Sequence, residues 1–147
     1  MSTLMLVDYK SLVEDFLRRY YSDKREHKIM KEINSLHTRL EAVLRRTSDF
    51  SYESVNLALL DSGYAFSGHT TKYARMILAI LSPELDPIAY DIIKFVEKVR
   101  RASLREIRKS LGLFGDIRIY IYRALMIDKR LKVAGSQNRR NMYVYID

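Results

Sequence analysis

Residues 103–113 read Ser103-Leu104-Arg105-Glu106-Ile107-Arg108-Lys109-Ser110-Leu111-Gly112-Leu113, and this stretch organises the C-terminal half of the chain. Ser103 with Glu106 three residues on forms a capping box, Leu104, Ile107 and Leu111 fall on one helical face, and Gly112 stands where a helix stop favours a left-handed residue. A short helix is therefore bounded on both sides. Before it, Asp86 as N-cap and Pro87 in the first turn open a helix with the apolar stripe Ile88, Ile92, Phe95, Val96 and Val99, expected to end near Arg100. After it, Asp116 is placed to cap a third helix running to about Arg130. Leu131-Lys132-Val133 and Met142-Tyr143-Val144-Tyr145-Ile146 then read as paired strands around the polar loop Ser136-Gln137-Asn138-Arg139-Arg140.

Upstream of this half, both prolines of the chain, Pro83 and Pro87, bracket a short connection that divides the sequence into lobes at 1–82 and 83–147. In the first lobe Tyr9, Val13, Phe16 and Tyr20 recur at helical spacing, and Ile29, Ile33, Leu36, Leu40 and Val43 continue the pattern in a longer helix. Asp23 and Glu26 resemble a capping box that opens this second helix, which extends to Arg46. Its stripe suits packing against the first helix as an antiparallel hairpin first, and a dimer seam second. A third helix spans about Tyr52 to Ser62 and stops at Gly63. A fourth opens at Thr70 or Thr71, with Tyr73, Met76, Ile77, Leu78, Ile80 and Leu81 making it apolar nearly all round, as in a central buried helix.

The fold class expected is mainly α, four helices followed by three helices and a β-hairpin. That C-terminal order, with a Gly-containing turn after the second helix, resembles the winged helix-turn-helix family over residues 87–147, most closely in 103–113. The resemblance implies that the third helix of this lobe lies in the DNA major groove and that the hairpin loop, the wing, touches the DNA backbone or minor groove. One departure from the family is that small polar residues often open the third helix there, where this chain has Phe114, Gly115, Ile117 and Ile119.

On a helical wheel of residues 117–130, Ile117, Tyr120, Ile121, Ala124, Leu125 and Ile127 form the core-facing arc. The opposite arc holds Arg118, Ile119, Tyr122, Arg123, Met126, Lys129 and Arg130, too apolar to be left in water. Two coverings fit it. If it meets DNA, Arg118 and Arg123 take phosphates or a guanine edge, Tyr122 takes a phosphate and Ile119 meets a thymine methyl. If it meets protein, it docks on the N-terminal lobe or on a partner. Arg139 and Arg140 at the wing tip reach a phosphate or a narrow minor groove, and Arg105 adds a phosphate contact at the start of the second helix.

Charge and composition narrow the function further. The chain has 147 residues, with 26 Lys plus Arg against 18 Asp plus Glu, a formal charge of +8. The C-terminal lobe holds 14 of those cations and 8 of the acids, so the basic character belongs to it. Polyanionic partners are favoured, nucleic acid first. The absence of cysteine excludes disulfides, thiolate metal sites and a cysteine nucleophile. His27, His37 and His69 share no metal-ligand spacing, no phosphate-cradling glycine loop exists, and no nucleophile with its base can be assembled.

The expectation is a non-enzymatic protein with no cofactor or metal, a cytoplasmic location, no membrane span and no signal sequence. One Gln, no Trp and abundant Arg, Lys, Ile and Tyr match the compositional bias of hyperthermophile proteins. Two functions follow. One is a dimeric winged-helix transcriptional regulator on double-stranded DNA, a homodimer joined through Ile29, Ile33, Leu36, Leu40 and Val43. The other is a non-catalytic interaction subunit of a replication, transcription or DNA-processing complex, in which the winged lobe binds protein.

Overall fold

The computed structural model describes residues 7–64, 68–83, 86–138 and 140–147, with the first three residues of the fourth helix described by backbone alone. The chain is mainly helical with one small antiparallel sheet. Its N-terminal half consists of α1 (Tyr9–Tyr20), α2 (Glu26–Arg46), α3 (Tyr52–Asp61) and α4 (Gly68–Leu81). Asp8 caps α1, its carboxylate accepting from the Ser11 backbone N–H at 3.1 Å. Ser51 caps α3 in the same way. Among the described residues, no helix is long and apolar enough to cross a membrane.

The α2 stripe is core. Ile33, Leu36, Leu40 and Val43 have no exposed surface, Ile29 has 6%, and α2 packs against α1, α3 and α4 of its own chain. The dimer seam expected from Ile29, Ile33, Leu36, Leu40 and Val43 is thereby corrected, because one apolar stripe cannot fill the core and also face a second copy. The expected capping box at Asp23 and Glu26 does not form either. Asp23 instead accepts from the Gly135 backbone N–H at 2.9 Å, and Glu26 receives both Nη groups of Arg18 at 2.7 and 2.8 Å. Helix α2 consequently begins at Glu26 without a side-chain cap. Helix α4 starts at Gly68, earlier than Thr70 or Thr71, and its residues Tyr73, Ala74 and Met76 to Ile80 are buried, as a central helix requires.

In the C-terminal half the order is α5 (Pro87–Val99), β1 (Arg101–Ser103), α6 (Leu104–Leu111), α7 (Arg118–Ile127), β2 (Lys132–Ala134) and β3 (Tyr143–Tyr145). Asp86 caps α5 by accepting from the N–H groups of Ile88 and Ala89 at 3.0 and 3.3 Å. The box around α6 is complete: Ser103 Oγ accepts from Glu106 N at 3.1 Å, and the Glu106 carboxylate accepts from Ser103 N at 3.0 Å. Gly112 closes the helix at φ +63°.

Strand β3 lies between β1 and β2, pairing Val144 with Ala102 on one side and with Val133 on the other. These three face inward and are buried, while Arg101, Lys132, Tyr143 and Tyr145 keep part of their surface in water. Sequence periodicity left β1 unmarked, since a three-residue strand offers one buried side chain and exists only because β3 pairs with it. Helix α7 is also shorter than expected. Asp116 turns its carboxylate onto the backbone N–H of Arg118, and Asp128 onto that of Arg130, so each aspartate organises a turn outside the helix.

One hydrophobic core runs through both halves, from Val13 to Ile146. Arg19 of α1 is the main polar link. Its side chain is 9% exposed and donates to the carbonyls of Leu125, Leu131 and Asp128 at 2.7, 3.1 and 3.3 Å, while pairing with Asp15 at 2.9 Å. A guanidinium from the first helix thus satisfies backbone acceptors at the C-terminal end of α7, where the helix dipole also favours a cation. Ser22 adds a bond from its hydroxyl to the Val133 carbonyl at 2.6 Å, which ties the α1–α2 turn to β2.

Candidate nucleic-acid interface

Helix α7 is covered on both sides. Ile121, Ala124 and Leu125 are fully buried, and Tyr122, expected on the outer arc, has no exposed surface. Its ring packs edge-on against Phe16 and Tyr20 of α1 at centroid distances of 5.8 and 5.3 Å. Burial pushes its phenol well above the usual tyrosine range. Ile119 and Met126 are half-buried, and Ile119 shares a hollow with Phe50, Arg75 and Leu78. The outer arc of α7 therefore docks on α1 and α4. The expected DNA contact by Tyr122 is corrected: a ring held between two aromatic side chains in the core reaches no phosphate. Ile119, half-covered by the N-terminal half, is no free thymine-methyl contact.

The arginines of α7 already have partners. Arg118 grips Asp116 through Nε at 3.0 Å and through Nη2, and Arg75 of α4 joins the same carboxylate at 3.2 Å. Chiefly through its hydrogen bonds to Arg118, the Asp116 carboxyl is lowered to about 2. Arg123 pairs with Asp86 at 3.1 Å, and that carboxylate is 8% exposed. Beyond the helix, Arg130 pairs with Glu97 and Asp128, and Lys132 with Asp147. These cations are largely neutralised, so they attract a polyanion weakly.

A different face of the C-terminal half gathers arginines that have no carboxylate partner. Ser103, Leu104, Arg105 and Arg108 line an open groove with Arg140 from the β2–β3 loop, and Arg101, Glu106, Asn141 and Tyr143 line its continuation. Among the described residues, Arg101, Arg105, Arg108, Lys109 and Arg140 make no ion pair with a carboxylate. Glu106, the one acid within this face, is committed to the α6 cap, and its bond from the Ser103 N–H holds it below the usual carboxylate range. Arg101 lies over the Tyr143 ring with its guanidinium carbon 3.7 Å from the centroid, which holds that cation flat on the sheet. The Nε of Arg108 is buried without a hydrogen-bond partner.

The sequence residues separate accordingly. Arg105 and Arg140 come together in the groove, whereas Arg118, Ile119, Tyr122 and Arg123 belong to the joint with the N-terminal half. Arg139 lies outside the described residues. The loop tip is built from local turns, with Asn138 Oδ1 accepting from Arg140 N at 3.0 Å and Asn141 N donating to the Asn138 carbonyl at 3.0 Å. Sequence reasoning missed Arg101 and Arg108. For Arg108 a signal existed, because it follows Arg105 by three residues and so shares its helical face. For Arg101 it did not, since only the pairing of β1 with β3 brings it beside Tyr143.

Among the described residues, no group of three or more His, Asp or Glu side chains is close enough to hold a metal ion. Comparison of the chain with protein-family models, with curated proteins and with solved structures found no match.

Proposed function

We propose that the chain is a non-enzymatic protein that binds double-stranded DNA through α6 and the β2–β3 loop, with residues 87–147 arranged as a winged helix-turn-helix unit. The order α5-β1-α6-α7-β2-β3 and the strand order β1-β3-β2 support the winged arrangement. One observation carries the binding reading: Arg105, Arg108 and Arg140 converge on one open groove without a carboxylate partner. Such a cluster is held apart by its own repulsion and gains most from a row of phosphates.

Because α7 is covered, the contact is made to the DNA backbone more than to base edges, and it is salt-dependent before it is sequence-selective. This differs from a regulator that reads its operator with the third helix. A homodimer through the α2 stripe is not part of the proposal, since that stripe is core. The reading of the chain as a subunit of a DNA-processing assembly is favoured by Tyr52, Leu57 and Leu60 of α3, which are 39%, 59% and 39% exposed and leave apolar surface on this helix for a protein partner.

The test is backbone amide shift mapping on the full chain during titration with a short random-sequence duplex at low salt. Perturbation of residues 101–109 and 138–143, with little change across 118–127, is the expected result. Changes centred on α7, or no binding at low salt, would refute the proposal.

A further inference from the structure

The turn between α6 and α7 displays a feature that phosphate binding leaves unexplained. Phe114 is 93% exposed, the most exposed large apolar side chain among the described residues. It does not hang from a loose loop. Gly112 at φ +63° precedes it, Gly115 at φ +74° follows it, and both backbone conformations favour glycine. Leu113 between them donates its N–H to the Arg108 carbonyl at 2.9 Å and packs its side chain on the core. Just past the turn, Asp116 accepts from the Arg118 N–H at 3.0 Å and from Arg75 of α4 at 3.2 Å. A phenyl ring is thus presented to water from a turn anchored at both ends. It gains no burial inside the chain for that rigidity.

Its surroundings say what covers it. Gly115 and Arg108 line one hollow beside α6 together with Leu104 and the ion-paired Asp116 and Arg118, and Arg108 also lines the groove with Arg105 and Arg140. A strand with its phosphates on those three arginines would run toward the hollow whose Gly115 adjoins Phe114 in the chain. Apolar side chains of this kind enter base steps and unstack them, and an aromatic face stacks on any base regardless of sequence. A nucleic acid supplies both halves of the complement, anionic oxygens for the arginines and a flat apolar surface for the phenyl.

We propose, building on the DNA-binding reading above, that Phe114 is a stacking wedge and that the preferred ligand is duplex DNA with a base step already open, such as a mismatch or bulge. Opening a paired step takes free energy that a mismatched step has already lost, so the wedge discriminates by deformability and not by base identity.

The experiment uses the full chain and two duplexes of one sequence, fully paired and with one central mismatch, with 2-aminopurine beside that position, together with the single strand. Wild type is expected to bind the mismatched duplex more tightly and to raise 2-aminopurine emission. F114A should lose about five- to one-hundredfold in affinity for the mismatched duplex and the preference with it. The chain has no tryptophan, so F114W carries the sole indole, and its emission is expected to be quenched as a base stacks on it. Circular dichroism verifies that these surface variants fold.

If F114A keeps both affinity and preference while R105A/R108A/R140A loses binding, the wedge is refuted and the DNA-binding reading stands. A wild type that prefers the single strand over both duplexes overturns the duplex assignment. A wild type that binds none of the three DNAs at low salt overturns both proposals and leaves a protein as the partner of this face.

Discussion

Replacing Arg105 and Arg140 together by alanine separates free from neutralised cations. Both side chains are exposed and unpaired, so each is free to displace one condensed counterion from DNA. Each lost phosphate contact lowers the slope of log K against log salt by about 0.9, so the pair removes about 1.8. Between ~50 and ~200 mM salt, roughly 0.6 logarithmic units, the double variant therefore loses about tenfold less affinity than wild type.

The matched control is Arg118→Ala with Arg123→Ala. Those guanidinium groups are held by Asp116 and Asp86, so removing them leaves the salt slope near its wild-type value. The control instead loses stability, by about 1–3 kcal/mol, because the nearly buried Asp86 carboxylate is left without its counter-charge. Fluorescence anisotropy with a random-sequence duplex at several salt concentrations, below the unfolding transition of every variant, reads both effects. A slope that falls for the α7 pair and not for the groove pair would refute the reasoning, because it would place the phosphates on α7.

Three further outcomes follow from the packing. Leu36→Ala, at a site with no exposed surface, is expected to lower unfolding free energy by about 2–5 kcal/mol in urea titrations. Its mass in solution should stay unchanged, and Leu36→Glu with Leu40→Glu should unfold the chain rather than split a dimer. Arg19→Met removes the donor to three carbonyls near the end of α7 and is expected to cost at least about 2 kcal/mol, with amide exchange rising at residues 125–133. Asp116, lowered from 3.8 to about 2 by its bonds to Arg118, contributes stability that is complete above the unfolded-state value and is lost as pH falls through the folded one. The Tm difference between wild type and Asp116→Asn should therefore be largest near neutrality and close between about pH 4 and pH 2; a difference that persists unchanged at pH 2 would contradict this.

How much was legible in the sequence depended on how local the deciding interaction was. Two stretches carried the same capping signal, Ser103 with Glu106 and Asp23 with Glu26. The first formed, because both partners lie within one helical turn and nothing else competes for them. The second did not, because Asp23 is taken by the Gly135 amide, 112 residues away, and Glu26 by Arg18. The outer arc of α7 was legible as a surface needing a cover, since Ile119, Tyr122 and Met126 are too apolar for water. The N-terminal lobe was one of the two coverings the sequence offered, and the choice between it and DNA was not legible, because helical periodicity encodes which face is apolar and carries no information about its partner.

The sequence by itself determined most of the elements, β1 excepted. Caps, glycine stops and apolar stripes act within a few residues, so α1, α3, α5, α6 and the pairing of β2 with β3 were readable from spacing alone. Tertiary structure decided the site. Whether an arginine is free to meet a phosphate depends on whether a carboxylate lies within a few ångströms, and the carboxylate of Arg123 is 37 positions away while one cation of Asp116 comes from α4, 41 positions earlier. Coulomb attraction falls with distance in space and takes no account of distance along the chain. The fold alone therefore neutralised the cations of α7 and left those of α6 and the loop without a carboxylate partner.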